Sequence, residues 1–533
     1  MTEQAIPGNL IESGLTHPLN RLAVWVSAGV FLALCWLFFG FTADDSYIVA
    51  RYGRNLVEYG LLEFNPGEPI SALTSPLHGL IMAGLYALTS EPVTLYKILA
   101  SIFCGLSMLS LIRVLPVDSR GLGAIVMLTS PFAALWSVGG LETPVLMALV
   151  ALFCAAILRT DGRAGPWLVI LAALMFLTRY DSALFAAPAT LVVMWTNRSS
   201  GRYWVAFAGA VGLAGGWLIF AQLTYGSVFP TSYFLKVGSF FHPENFLHIL
   251  YVASFLILTT GPWIVARVFF GKKHEFHTHL IRYGIYLLIP YFFTMASTHM
   301  MFSYRALIPY LPALVCLLIG AGKARRGLNL GMAGGVMVIN VVLSWVLLNV
   351  TINPSIGHLS AGGESRWRPG EPALSYEYAS VNVYEYQTFT DTLKLQADAL
   401  AVHWDSDETP SLLTMAGGVA PWYLPDTHVM EILVSARAHC PYNRRNVSDL
   451  WRYADYIQLF QDGDGRIYPG PNTEDWAIIR GLPIVHDVKI EFTMRPSLTR
   501  PNSLARVMLF YNPTPEPRPT SLSKRYFEAC RLD

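Results

Sequence analysis

Long apolar runs separated by short basic loops limit this fold more than any motif does. The first run, Ala23 to Phe41, is long enough to cross a bilayer as a helix. Further apolar segments follow at 75–112, 122–138, 143–159, 166–178, 183–196, 204–223, 246–270, 280–297, 305–322 and 328–351. Of the 533 residues, 53% are hydrophobic and only 14% charged, whereas soluble domains run at about 25% charged. The chain therefore reads as a polytopic α-helical membrane protein with about eleven transmembrane helices. The polar residues 1–22 read as a cytoplasmic tail, since no cleavable signal pattern precedes the first run. A net charge of +1 argues against nucleic acid as a partner and leaves membrane lipids as the surrounding medium.

The basic loops set the orientation. Arg113 and Arg120, Arg159 and Arg163, Arg198 and Arg202, Arg267 with Lys272 and Lys273, and Lys323 with Arg325 and Arg326 recur between alternate segments. The positive-inside rule places these loops in the cytoplasm. The alternate loops then face outward: 42–78, GGLET (139–143), TRYDS (178–182), YGSVFPTSYFLK (225–236) and STHMMFSYR (297–305). This parity requires 75–112, which SEP divides into two apolar parts, to make one net crossing. The short segments 166–178 and 183–196 suit a hairpin of helices with TRYDS at its tip.

Composition changes after the last apolar segment. A membrane domain over 23–352 gives way to residues 353–533, rich in Pro, Trp, Tyr and charge. By parity this part is an extracytoplasmic soluble domain, large enough for a core of its own. LLTMAGGVAPWYL (412–424) reads as a strand and Gly-rich turn, SDLWRYADYIQLF (448–460) as a helix leading into a strand, and DVKIEFTMR and LARVMLFY as strands. A mixed α/β or β-rich fold is expected. Cys440 and Cys530 would pair there in an oxidising compartment, while Cys35, Cys104, Cys154 and Cys316 read as packing residues.

Polar residues without a structural duty collect in the outward loops. Asp44 and Asp45 stand at the end of the first apolar run, where an ionisable pair is costly and points to function. A helix follows, with Asp44, Tyr47, Ile48, Arg51 and Asn55 on one face, until FNPGEP breaks it. The blander reading is that the Asp pair caps this helix. Glu142 caps the helix beginning at Thr143-Pro144, or positions an acceptor or helps bind a cation. Arg179 contacts an anion or pairs with Asp181. Trp404, Trp422, Tyr423 and Trp451 form either a sugar platform or core. HEFHTH (274–279) lies on a cytoplasmic loop and lacks the helical H-E-x-x-H pattern, so no metal site is assigned.

The run DDSYIVARYGRNLVEYGLLEFNPGEPISALTSPL resembles the first outer loop of GT-C glycosyltransferases, integral membrane enzymes that take a sugar from a polyprenyl phosphate outside the cytoplasmic membrane. The combination DD-x-Y-I, R-Y, N-L, F-N-x-G-E and T-S-P-L is similar to the branch containing the terminal arabinofuranosyltransferases of mycobacterial cell walls. WSVGGLET (136–143), FLTRYDSALFAAP (176–188) and YGSVFPTSYFLK fit the same branch. SYRALIPYLP (303–312) and AGGVAPWYLPD (416–426) fit more loosely. At GGVAPWY the chain departs from the branch, where a longer Gly/Tyr-rich segment and a following Asp are usual.

The resemblance implies transfer of a sugar, arabinofuranose in that branch, from a polyprenyl-phosphate donor to a glycan or glycoprotein acceptor of the cell envelope. It assigns the general base to the DD motif, with Asp44 as base and Asp45 holding the sugar or tuning its neighbour. The leaving lipid phosphate needs positive charge, for which Arg51, Lys236, Arg305 and Arg179 are candidates. Tyr47, Glu142, Asp181, His299 and Tyr304 are the candidate sugar contacts. A divalent cation is compatible with this chemistry but not required by it, because one phosphate carries less charge than a diphosphate. A lipid-linked-sugar transporter or flippase is the alternative. It calls for ionisable residues at mid-membrane depth, whereas here they cluster at outer helix ends.

Overall fold

The structure is a computed structural model of the chain. It describes residues 12–159, 165–230, 253, 255–257, 279–296, 304–320, 326–349, 383–414, 416–431, 448–461, 467–468, 477–490 and 505–516. Lys236, His299, Cys440, Cys530, residues 274–278 and the expected domain boundary at 352–353 lie outside these residues.

The apolar first run forms α1 (Glu12–Leu37). The polar stretch after it forms α2 (Asp45–Tyr59), which Gly60 ends in a left-handed cap at φ 70°. The 75–112 segment is two helices, α3 (Pro76–Tyr86) and α4 (Pro92–Val114), each opened by a proline in its first turn. The eleven residues of α3 reach only about 16 Å, short of a hydrocarbon core of about 30 Å. The 122–138 segment also divides, into α5 (Arg120–Leu128) and α6 (Pro131–Ser137). There the Ser130 hydroxyl accepts the Ala133 amide, and Pro131 has no amide to continue the preceding helix.

Next come α7 (Thr143–Arg159), α8 (Trp167–Thr178), α9 (Ser182–Thr196) and α10 (Gly201–Tyr225). TRYDS makes the turn between the short helices α8 and α9. The helical part ends with α11 (His279–Ala296), α12 (Leu311–Gly320) and α13 (Arg326–Asn349). Among the described residues, three helices are long and apolar enough to cross a membrane: Asn20–Leu37, Pro92–Val114 and Gly201–Tyr225. Bulky side chains such as Trp36, Trp195, Val205 and Leu223 stay exposed on the outside of this bundle, as suits helices packed against hydrocarbon. Cys35, Cys104, Cys154 and Cys316 are buried free thiols.

Beyond residue 382 a helix, α14 (Val383–His403), packs on a mixed sheet. The strands are β1 (Ser411–Thr414), β2 (His428–Glu431), β3 (Tyr456–Gln461), β4 (Ile467–Tyr468), β5 (Ile484–Ile490) and β6 (Ala505–Tyr511). Their order is β2-β1-β3-β6-β5, with β4 pairing β3. The first three run parallel, and β6 lies antiparallel to β3 and β5. Between β1 and β2 the Gly-rich turn leads into a five-residue helix, α15 (Val419–Tyr423).

The two parts meet along the 42–78 loop. Asn65 donates to Val429 O at 2.8 Å and accepts the Val429 amide at 3.1 Å, so its side chain pairs with β2 as a neighbouring strand would. Glu68 reaches His428 at 3.6 Å. The turn holding both residues depends on Gly67 at φ 88° and on Glu63, whose carboxylate accepts the Gly67 amide at 2.7 Å.

Candidate active site

Asp44 and Asp45 are adjacent in sequence and have different partners. Asp44 is the residue before α2, yet its side chain makes no capping bond to that helix. Its Oδ1 accepts the Val419 amide at 2.7 Å and its Oδ2 the Gly418 amide at 3.2 Å, two donors that open α15 without an intrahelical acceptor. Its own amide donates to the Tyr386 hydroxyl on α14 at 3.2 Å. The residue is 8% exposed. Burial pushes its carboxyl up to about 7, the Val419 and Gly418 amides acting against that rise and the Asp45 charge adding to it.

The Asp45 carboxylate, 38% exposed, instead faces Arg305, with Nη1 at 3.5 Å. Arg305 Nη2 lies 3.4 Å from Glu142, and the guanidinium sits over the Trp136 ring at 5.8 Å. Burial opposes the Glu142 charge, but Arg305, Arg179 and His78 outweigh it and hold the carboxyl below its ordinary range. One guanidinium thus serves two carboxylates, at distances longer than the usual 2.7–2.9 Å or so of a tight charged hydrogen bond. A competing oxyanion can enter such an arrangement without first breaking a closed bidentate pair.

Three local features bring these groups together. Gly140 has φ 80°, and a Cβ there would lie 2.9 Å from the Ser46 Cβ, so GGLET can press against the start of α2. The Lys97 ammonium on α4 donates to Phe39 O at 2.6 Å, Phe41 O at 3.1 Å and Thr42 Oγ1 at 2.7 Å, fixing the link from α1 to α2. Tyr304 has φ 59°, the one non-glycine in that region among the described residues. Its ring packs edge-on against Phe132 at 4.8 Å, anchoring the residue next to Arg305.

The other expected site residues fall elsewhere. Arg51, expected at the donor phosphate, is 1% exposed. Its guanidinium donates to Phe64 O at 2.9 Å, Pro421 O at 2.5 Å, Leu424 O at 3.3 Å and Thr427 O at 2.8 Å, so its donors are taken up by main-chain carbonyls. Burial and the neighbouring Arg54 lower it to about 9. Arg179 forms a closed fork on Asp181, at 3.0 and 2.7 Å, and still favours the charged form of Glu142. Tyr47 lies 6.3 Å from both the Trp422 and Tyr423 rings, beside the start of α2. The Tyr304 side chain, expected at a sugar, is 3% exposed and belongs to the core. Trp451 belongs to the core under the sheet, away from the other three; Trp422 and Tyr423 pack together beside Tyr47, and Trp404 packs on Tyr456 in a cluster that Tyr423 also borders, so the four do not form one platform.

Sequence reasoning passed over Lys97, His78 and Tyr386. Lys97 interrupts an apolar run, which by itself marks a residue with a task. His78 is 2% exposed, stacks on Tyr96 at 4.5 Å and interacts with Glu142 and Arg305, and neither of its ring nitrogens has a hydrogen-bond partner among the described residues. Tyr386 carries no local signal, since only the fold brings α14 to α2. Among the described residues no three His, Cys, Asp or Glu side chains group as metal ligands.

No protein-family model matches the chain, and no curated protein matches it. Among solved structures, the chain is similar to ArnT from Cupriavidus metallidurans, solved bound to undecaprenyl phosphate and in the apo state. In both cases identity is 13% and the TM-score 0.48, with 91% of this chain and 97% of the ArnT chain covered.

Proposed function

We propose that this chain is an integral-membrane glycosyltransferase of the GT-C type. It moves arabinofuranose from a polyprenyl-phosphate donor to a cell-envelope glycan or glycoprotein acceptor. The site and the C-terminal domain stand on the outer side of the cytoplasmic membrane. The observation that carries this reading is the group of Asp45, Arg305 and Glu142, in which a partly exposed carboxylate stands 3.5 Å from a guanidinium that no tight pair among the described residues closes off. The resemblance of the 42–78 loop supplies the donor class.

Within that reading Asp45 is the general base. Its carboxylate is accessible, whereas that of Asp44 is buried and already accepts two amides. The acceptor hydroxyl gives its proton to Asp45 as its oxygen bonds to the anomeric carbon. The bond from that carbon to the phosphate oxygen breaks, and the lipid phosphate leaves with the electron pair. Arg305 takes up the charge that develops on the phosphate, and Glu142 keeps the guanidinium in place. Asp181 holds Arg179 at a distance from which it adds long-range positive potential to Glu142.

The test is a transfer assay with purified protein, radiolabelled decaprenyl-phosphoarabinose and an arabinan oligosaccharide. Wild type should move label to the glycan, and Asp45→Asn should lower turnover by about a hundredfold or more. Full activity in a folded Asp45→Asn protein would remove the base assignment. Absence of transfer by wild type from every polyprenyl-phosphate sugar tried would remove the transferase reading and favour a flippase.

A further inference from the structure

α15 and α2 hold each other by both ends. Asp44 takes the two amides that open α15, and Arg51, seven residues along α2, takes the carbonyls of Pro421 and Leu424 toward its close. Each charge thereby meets main-chain groups that a short helix leaves without partners. Gly418 is the point of closest approach. Its φ of −97° is open to any residue, so the demand for glycine there is one of space alone. A Cβ at this position would fall 1.9 Å from the Asp44 carbonyl oxygen and 2.6 Å from its carboxylate. Both obstacles belong to Asp44, and the nearer one is main chain, which cannot rotate aside.

Asp44 and Asp45 share a peptide bond. Whatever displaces Asp44 therefore turns the first residue of α2 and moves the Asp45 carboxylate relative to Arg305. We infer that Gly418, in the C-terminal domain, is a positioning residue for sugar transfer, seating Asp44 so that its neighbour Asp45 is aimed at the reacting groups. This rests on the transferase reading and extends it: the domain is part of the catalytic apparatus through its grip on α2, in addition to any contact it makes with an acceptor. Among the described residues no contact of α15 reaches Arg305 or Glu142, so the donor side built on them should keep its affinity.

The experiment uses the full-length protein in nanodiscs and reads docking and chemistry separately. Amide hydrogen exchange over 416–424 reports docking, and steady-state transfer from decaprenyl-phosphoarabinose reports chemistry. Gly418→Ala should exchange at least about tenfold faster at Val419 and lose about a hundredfold in kcat, the scale of a 1 Å misplacement, with the donor KM within about twofold of wild type. Asp44→Asn, nearly isosteric and still able to accept one amide, should show a smaller change of the same kind. Asp45→Asn should lose turnover with the 418–419 amides still protected. Faster exchange with unchanged kcat in Gly418→Ala would overturn the positioning role and leave the transferase standing. So would a rise in donor KM at constant kcat. Loss of all transfer in wild type would instead overturn the reading on which the inference rests. If Gly418→Ala does not fold, Asp44→Asn decides: unchanged kcat with exposed amides overturns the inference.

Discussion

A titrating carboxyl with two main-chain donors is an uncommon residue to find at a domain seam. Asp44 accepts amides that favour its charged form, yet burial outweighs them and its pKa rises from 3.8 to about 7. A carboxyl raised in the folded state binds its proton more tightly there than in the unfolded chain. Its ionisation therefore costs stability as pH climbs from its ordinary value toward about 7, and nothing further is lost above that. Wild type compared with Asp44→Asn should accordingly lose melting temperature over that interval, the difference levelling off at both ends. Melting curves of the two proteins at matched pH check this, and a difference that does not vary with pH would show that Asp44 ionises as freely as in the unfolded chain. Asp45, half in solvent beside Arg305, keeps the accessible carboxylate of the pair.

At the scale of elements, α15 is too short to be stable alone and exists because its ends are held. Arg51 holds its C-terminal end, with donors to Pro421 and Leu424, and ties that end to Thr427 and to Phe64 in the loop after α2. Replacing it by methionine keeps much of the volume and strands buried carbonyls. Arg51→Met should therefore cost on the order of 2 kcal/mol, seen as a lower melting temperature in detergent. An unchanged melting temperature would mean that water reaches those carbonyls and that the clamp is weak. The reading of α2 as one polar face running through Arg51 and Asn55 placed those two residues inward, as they are, but missed Ser46, Ala50, Tyr52, Gly53 and Arg54, which are also buried, while Tyr47 and Ile48 are only partly so. It did not show where Arg51 leads, because its partners at 421–427 lie more than 360 positions along the chain, whereas Asn55 donates to Glu63 O and Phe64 O close by.

For the whole molecule, the 42–78 loop packs against the C-terminal sheet through Asn65 and Glu68, so the two must share one side of any membrane. The orientation expected from the basic loops, and proposed above, puts that side outside the cytoplasm. A membrane-impermeant maleimide should label Pro66→Cys in intact cells and reach Ser199→Cys only after permeabilisation. Both positions are exposed, and the four described native thiols are buried. The opposite labelling pattern would invert the topology and move the site to the cytoplasm.

Much of this architecture is local and was legible for that reason. Apolar runs make helices, Pro76, Pro92 and Pro131 open them, and short runs of β-branched, aromatic and other apolar residues at 456–461 and 505–511, buried on both faces, make strands. The outward loops, the DD pair, Glu142 and Arg305 all stood out as polar groups with nothing nearby to occupy them. What the sequence could not decide was the division of labour among them. Asp44 and Asp45 are chemically identical neighbours, and Arg51 and Arg305 are equally plausible partners for an anion. Only the folded chain separates them, by bringing Gly418 and Val419 onto one carboxylate, main-chain carbonyls onto one guanidinium, and leaving the other carboxylate and guanidinium facing each other. Those choices depend on desolvation and on contacts distant in sequence, which no local pattern encodes.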